Sequence, residues 1–120
     1  MIATRLFLIV SIVSLFSLGI GIAFAETESF TVAARDYERK YIDLKEGDEI
    51  EYSIRVSGGA NDDIKFTIYY PNGSNDGGGS VYEKFSDKFT AQSSGTYIFE
   101  FDSPSLLSNK SVKFSYVSST

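Results

Sequence analysis

Asp48-Glu49-Ile50-Glu51-Tyr52-Ser53-Ile54-Arg55-Val56-Ser57 decides the fold class. Ile50, Tyr52, Ile54 and Val56 fall on one side of an extended chain, and Glu49, Glu51, Ser53 and Arg55 on the other. Successive side chains of a strand point to opposite faces, so this stretch is a strand with one buried and one wet face. The same period recurs on both sides of it. Ile64–Tyr70 puts Ile64, Phe66, Ile68 and Tyr70 inward, and Thr96–Asp102 puts Tyr97, Phe99 and Phe101 inward. In Ser111–Val117 the inward residues are Val112, Phe114 and Tyr116. Further strands are expected at Ser29–Arg35, Tyr37–Leu44 and Val81–Thr90, the last broken near Ser86.

No stretch after residue 25 sustains a helical period, and Gly/Asn/Asp/Ser clusters separate the runs. Seven or eight short strands, each with one apolar face, bury those faces only as two sheets packed together. The expected fold is all-β, an antiparallel β-sandwich of seven or eight strands. Ten Phe and eight Tyr supply rings large enough to fill the gap between the sheets.

Residues 1–25 have a different character. Arg5 is their only charge, an apolar run extends from Leu6 through Leu18, and Ala23-Phe24-Ala25 precedes Glu26. A short basic start, an apolar centre and a small-residue A-x-A site form the order of a signal peptide, with cleavage expected between Ala25 and Glu26. Leu6–Ala25 is also long enough to span a bilayer core, so an uncleaved N-terminal anchor is the alternative. On either reading residues 26–120 are one domain outside the cytoplasm, secreted or on the cell surface. The membrane is touched only through the N-terminal segment, if that segment is retained.

Composition removes whole classes of function. The 120 residues include no Cys and no His, so there is no disulfide framework, no thiolate or imidazole metal site and no Ser–His or Cys–His pair. Sixteen acidic residues against eleven basic ones give a net charge of −5. That balance argues against nucleic acid and against docking on anionic lipid. No catalytic residue and no cofactor are expected.

Oxygen-rich turns are the weak metal candidates. Asn61-Asp62-Asp63 and the Asn72–Ser80 loop, with Asp76, could contribute ligands to Ca²⁺, although neither has EF-hand spacing. These residues are also the chemistry of tight turns. Asn72-Gly73-Ser74 and Asn109-Lys110-Ser111 are N-glycosylation sequons in expected loops. Glu49 and Glu51 share a strand face, as do Glu100 and Asp102, and both pairs read as solvated carboxylates. Tyr69, Tyr70 and Tyr82 could stack on a sugar or peptide or pack on the sheets. Arg35, Arg39 and Lys40 form a small basic patch in sequence, and Gly77–Gly79 reads as a mobile loop.

Residues 95–116 read Gly-Thr-Tyr-Ile-Phe-Glu-Phe-Asp-Ser-Pro-Ser-Leu-Leu-Ser-Asn-Lys-Ser-Val-Lys-Phe-Ser-Tyr. Gly95 and Tyr97 opening a strand of alternating aromatics, a corner at Phe101 and Ser103, and Lys110 and Val112 starting the last strand resemble the GOLD (Golgi dynamics) domain. Asp43–Ile50 resembles that family's hairpin, and Ile64–Gly73 its middle strand and turn. The resemblance covers about Glu28–Val117 and implies a β-sandwich that binds other proteins. In the family this domain forms the lumenal part of cargo receptors cycling between endoplasmic reticulum and Golgi, and it recurs in lipid-transfer proteins. Two positions depart from the pattern: Glu100 stands where the receptors often have a cysteine, and Ser103 where they have an asparagine. With no coiled coil, C-terminal membrane span or cytoplasmic sorting tail expected after the last strand, the vesicle-trafficking role is not expected to carry over. The expected function is a non-enzymatic protein–protein interaction module, with the 71–80 loop and the 103–109 corner as the first segments to test. The alternative is a calcium- or glycan-associated domain of the cell envelope.

Overall fold

The structure, a computed structural model, describes residues 23–58, 63–104 and 108–120. Within these residues eight strands follow one another: β1 (Ala23–Val32), β2 (Tyr37–Leu44), β3 (Glu49–Ser57), β4 (Asp63–Tyr69), β5 (Gly79–Tyr82), β6 (Lys84–Thr90), β7 (Gly95–Asp102) and β8 (Lys110–Ser119). They form two four-stranded antiparallel sheets, β1-β8-β3-β6 and β2-β7-β4-β5. Only β4 and β5 are consecutive neighbours in a sheet; every other connection crosses the sandwich. This is the eight-stranded double Greek key of a jelly roll.

The expected inward residues meet in the middle. Ile50, Tyr52, Ile54 and Val56 of the first sheet pack against Ile64, Phe66, Ile68, Tyr97, Phe99 and Phe101 of the second. Phe99 is 0% exposed, and its ring centroid lies 5.4–6.4 Å from those of Tyr52, Phe66, Phe89 and Phe114. At one lateral opening Lys40 of β2 crosses to Glu28 of β1 at 2.8 Å and lies over the Phe30 ring, closing the sandwich with an ion pair.

Four expectations are corrected. The first strand starts at Ala23, before Ser29, and ends at Val32, before Arg35. Its end is set by a turn in which Asp36 N–H bonds to Ala33 C=O and Arg35 takes φ 61°. The long fifth strand breaks at Glu83, not Ser86, because Glu83 at φ 62° redirects the chain from one sheet to the other. Tyr70 lies beyond β4 and is half-buried at the sandwich end. Thr67, on the face expected to be wet, is buried because the following loop folds back over it.

Tyr52 and Tyr116 tie stability to alkaline pH. Burial, then the nearby Asp87 and Asp76, raises the Tyr52 phenol well above its ordinary range. Burial also raises Tyr116, helped by Glu26, whose Oε1 accepts its O–H at 3.0 Å. Above about pH 10 the unfolded chain loses these protons while the fold keeps them, so unfolding is favoured as pH rises. Stability is expected to be insensitive to these groups up to about pH 9.5. It then falls by up to about 1.4 kcal/mol per pH unit for Tyr52, and by less for the half-buried Tyr116. Urea midpoints at pH 8, 10 and 11 read this directly. Tyr116→Phe should flatten the alkaline limb, and an unchanged slope would remove Tyr116 from the account.

Candidate functional site

The outer face of the second sheet concentrates chemistry at the surface. Alternation along β2 turns Tyr37, Arg39 and Tyr41 outward, and antiparallel register sets each beside a residue of β7. Arg39 is opposite Glu100, and Tyr41 is opposite Ile98. One strand further, Glu100 is opposite Thr67 and Ile98 is opposite Tyr69 on β4. Tyr69 bridges in turn to Asn75 of the following loop. A row of Tyr41, Ile98, Tyr69 and Asn75 therefore runs across the sheet beside a row of Arg39, Glu100 and Thr67.

Arg39 is held in place from several directions. Its Nε donates to Glu100 Oε2 at 3.0 Å, and its guanidinium lies 5.0 Å from the Tyr37 ring centroid and 5.9 Å from that of Tyr69. Tyr69 O–H donates to the other Glu100 oxygen at 3.3 Å. The hydrogen bond to Glu100 is the main reason the Arg39 pKa is raised further. Tyr37 and Tyr41 remain 53% and 63% exposed on an ordered strand. Large aromatic rings beside a pre-positioned arginine are the residue types that dominate binding energy at protein interfaces.

The loop after β4 is laced together. The Asn72 side-chain oxygen accepts from Ser74 N–H and Oγ, that of Asn75 from Gly77 N–H, and that of Asp76 from Ile68 and Gly78 N–H. The Asn and Asp residues expected in turns are thus turn-forming, and the loop expected to be mobile is tied to β4. Its root is fixed by Gly95, at φ 147°, where a Cβ would lie 2.7 Å from the Pro71 Cβ.

The other candidates fall into separate places. Asp62 lies outside the described residues. Asp63 pairs with Lys110 at 3.4 Å, whereas Asp76 caps Ile68 at the other end of β4, about 17 Å along the strand. The structure does not bring them together, and among the described residues no three carboxylates gather as a metal cluster. Glu49 and Glu51 stand exposed on the outer face of the first sheet, opposite Thr90 and Lys88. Asn72 is exposed on the loop, and Asn109 is exposed with its side-chain oxygen accepting Ala34 N–H. Ser103 is 2% exposed, and its hydroxyl has no hydrogen-bond partner among the described residues.

The basic patch disperses: Arg39 points outward, Lys40 inward, and Arg35 sits in the β1–β2 turn. The tyrosines separate as well. Tyr69 joins the outer row, Tyr70 packs edge-on to Tyr97, and Tyr82 stands exposed opposite Asp63. Of the expected cleavage site, Ala25 pairs with Val117 and Glu26 with Tyr116 in β1. Among the described residues no helix is long and apolar enough to cross a membrane.

Tyr37 and Tyr41 were not singled out by the sequence reading. The Tyr-x-Arg-x-Tyr spacing of β2 carried the signal for a shared face, but Glu100 and Tyr69 reach it only through strand order.

The same fold occurs in solved proteins of very different sequence. A structure from the Bacillus endospore appendages, described as disulfide-linked pili, aligns with a TM-score of 0.57 at 9% identity, covering 90% of this chain and 96% of that one. Aeromonas hydrophila PliG, a periplasmic inhibitor of g-type lysozyme, gives 0.51 at 16% identity over 88% and 92%. A CBM4 structure gives 0.50 at 13% identity over 82% and 71%. At such identities the likeness is one of fold. No curated protein matches the sequence significantly. The sequence does match one family over residues 29–120, a span that takes in the last four residues of β1 and every later strand. The chain belongs to the emp24/gp25L/p24 family/GOLD.

Proposed function

We propose that the protein is an exported, non-enzymatic recognition module whose outer second-sheet face binds a protein partner. The carrying observation is the exposed Tyr37 and Tyr41 pair flanking an Arg39 already held by Glu100 and Tyr69. A partner docking there meets rings and a guanidinium that lose little conformational freedom on binding. Family membership supports the reading, and the fold serves protein recognition in PliG, a lysozyme inhibitor. Export rests on the signal-like residues 1–25. Cleavage after Ala25 would leave Glu26–Val32 of β1 paired with β8.

A photo-crosslinking residue at Tyr41, compared with one at Ser29 on the opposite sheet, tests the face in the protein's own cells. One dominant protein adduct from position 41, lost in Tyr37→Ala/Arg39→Ala, is expected. Equal adducts from both positions, or none from 41, would overturn the assignment. Removing 74–79 reports on the loop: it is expected to weaken capture, since Asn75 continues the Tyr41–Ile98–Tyr69 row.

A further inference from the structure

The outer face of the first sheet carries a different arrangement. Register places Lys113 of β8 opposite Arg55 of β3, and Arg55 opposite Lys84 of β6. Three cations therefore stand side by side on adjacent strands, about 4.8 Å between neighbours and about 10 Å end to end. All three are exposed. None has a carboxylate within ion-pairing distance among the described residues. Like charges directly opposite one another destabilise a sheet, so this row works against the fold in a chain whose net charge is −5.

Hydroxyls border the row on both sides. On one side, register aligns Thr27, Ser115, Ser53 and Ser86 across all four strands. On the other it aligns Thr31, Ser111 and Ser57. A groove of about 630 Å³, lined by Ser29, Arg55, Ser111 and Lys113, shares Arg55 with a second of about 450 Å³ that reaches Lys84 and Ser86. Among the described residues Glu83 is the carboxylate lining the first groove; Glu51, two rows away, faces Lys88.

The geometry points to a binding site for an anionic glycan. Its sulfate or carboxylate groups would meet the Lys113–Arg55–Lys84 row while its sugar hydroxyls exchange hydrogen bonds with the flanking Ser and Thr. An acidic protein partner fits less well, because the rows present two lysines, one arginine and small hydroxyls without the aromatic anchors that pack into a protein interface. Nucleic acid would require a far larger basic footprint. The site lies on the sheet opposite the proposed protein-binding face and stands independently of it.

Titration of the full domain with a sulfated hexasaccharide tests the site, with a neutral glucan hexasaccharide, poly-glutamate and inorganic sulfate as comparisons. The sulfated sugar is expected to bind, less tightly as salt rises from 50 to 200 mM, and the neutral sugar is not. Arg55→Ser/Lys113→Ser should weaken binding at least tenfold without lowering the melting temperature, since it removes repulsion. Arg55→Gln, which keeps much of the stem, should show a smaller loss in the same direction. Lys45→Ser/Lys65→Ser, an equal charge change elsewhere, should stay within twofold of the original. Absence of binding, an equal loss in the control, or poly-glutamate binding as tightly would overturn the proposal. Inorganic sulfate competing as well as the hexasaccharide would reduce the row to an adventitious ion site only, which also overturns it.

Discussion

Phe99→Ala is expected to destabilise the domain by about 3–5 kcal/mol, the largest effect of any single truncation in the core. Phe99 is fully buried at the point where both sheets meet, and its ring touches Tyr52, Phe66, Phe89 and Phe114. Truncation removes the transfer energy of the ring and leaves a cavity walled by other rings anchored on different strands, which cannot all move inward together. A domain of this size has about 5–15 kcal/mol in total, so a large share of its stability is lost. The melting temperature should fall by roughly 15–30 °C. Phe85→Ala is the control, because Phe85 is 40% exposed on the edge strand β6. Its cost should stay below about 1.5 kcal/mol. Urea denaturation of both variants checks the contrast, and equal costs would mean that the core is not centred on Phe99.

Asp63→Ala is expected to cost about 3 kcal/mol, whereas Lys110→Met should change stability by less than about 1 kcal/mol or raise it. Lys110 is the only fully buried cation among the described residues, 1% exposed at the start of β8. Its ammonium reaches Asp63 Oδ1 at 3.4 Å and Gly58 C=O at 3.3 Å. Both contacts are long, so the pair offsets its own desolvation only in part. Removing Asp63 leaves the buried charge, among the described residues, with the Gly58 carbonyl. Replacing Lys110 with an apolar side chain of similar length removes the need for a partner and leaves Asp63, on the rim, to water. The asymmetry is the diagnostic: similar losses from both substitutions would show a net favourable bridge. The same pair tests the calcium alternative, since Asp63 engaged with Lys110 is not free to ligate. A melting temperature raised by millimolar Ca²⁺ and lost in Asp63→Ala would show that the bridge opens for the ion.

Strand identity was legible because period two is a local property. Tyr37–Leu44 has the bounds expected of it, and Ile50, Tyr52, Ile54, Val56, Phe99, Phe101 and Phe114 are buried as their alternation requires. The turns were legible as turns for a similar reason: Asn72, Asn75 and Asp76 bond to backbone within a few residues or to the adjoining strand. Strand breaks were less so. Nothing at Arg35 or Glu83 advertises a positive φ, which the surrounding connections impose on residues without a glycine's freedom.

The sequence by itself determined a two-sheet β domain, the residues of its core, its charge, and membership in a family recognised by packing and turn motifs. Tertiary structure alone decided which faces matter. Arg39 is 61 residues from Glu100 in the chain, and Lys113 is 58 from Arg55, yet crossing connections make each pair cross-strand neighbours. Alternation says that a side chain points outward; strand order and register say what stands beside it. A surface site is a relation among strands, and its members carry no mark of one another in a linear sequence.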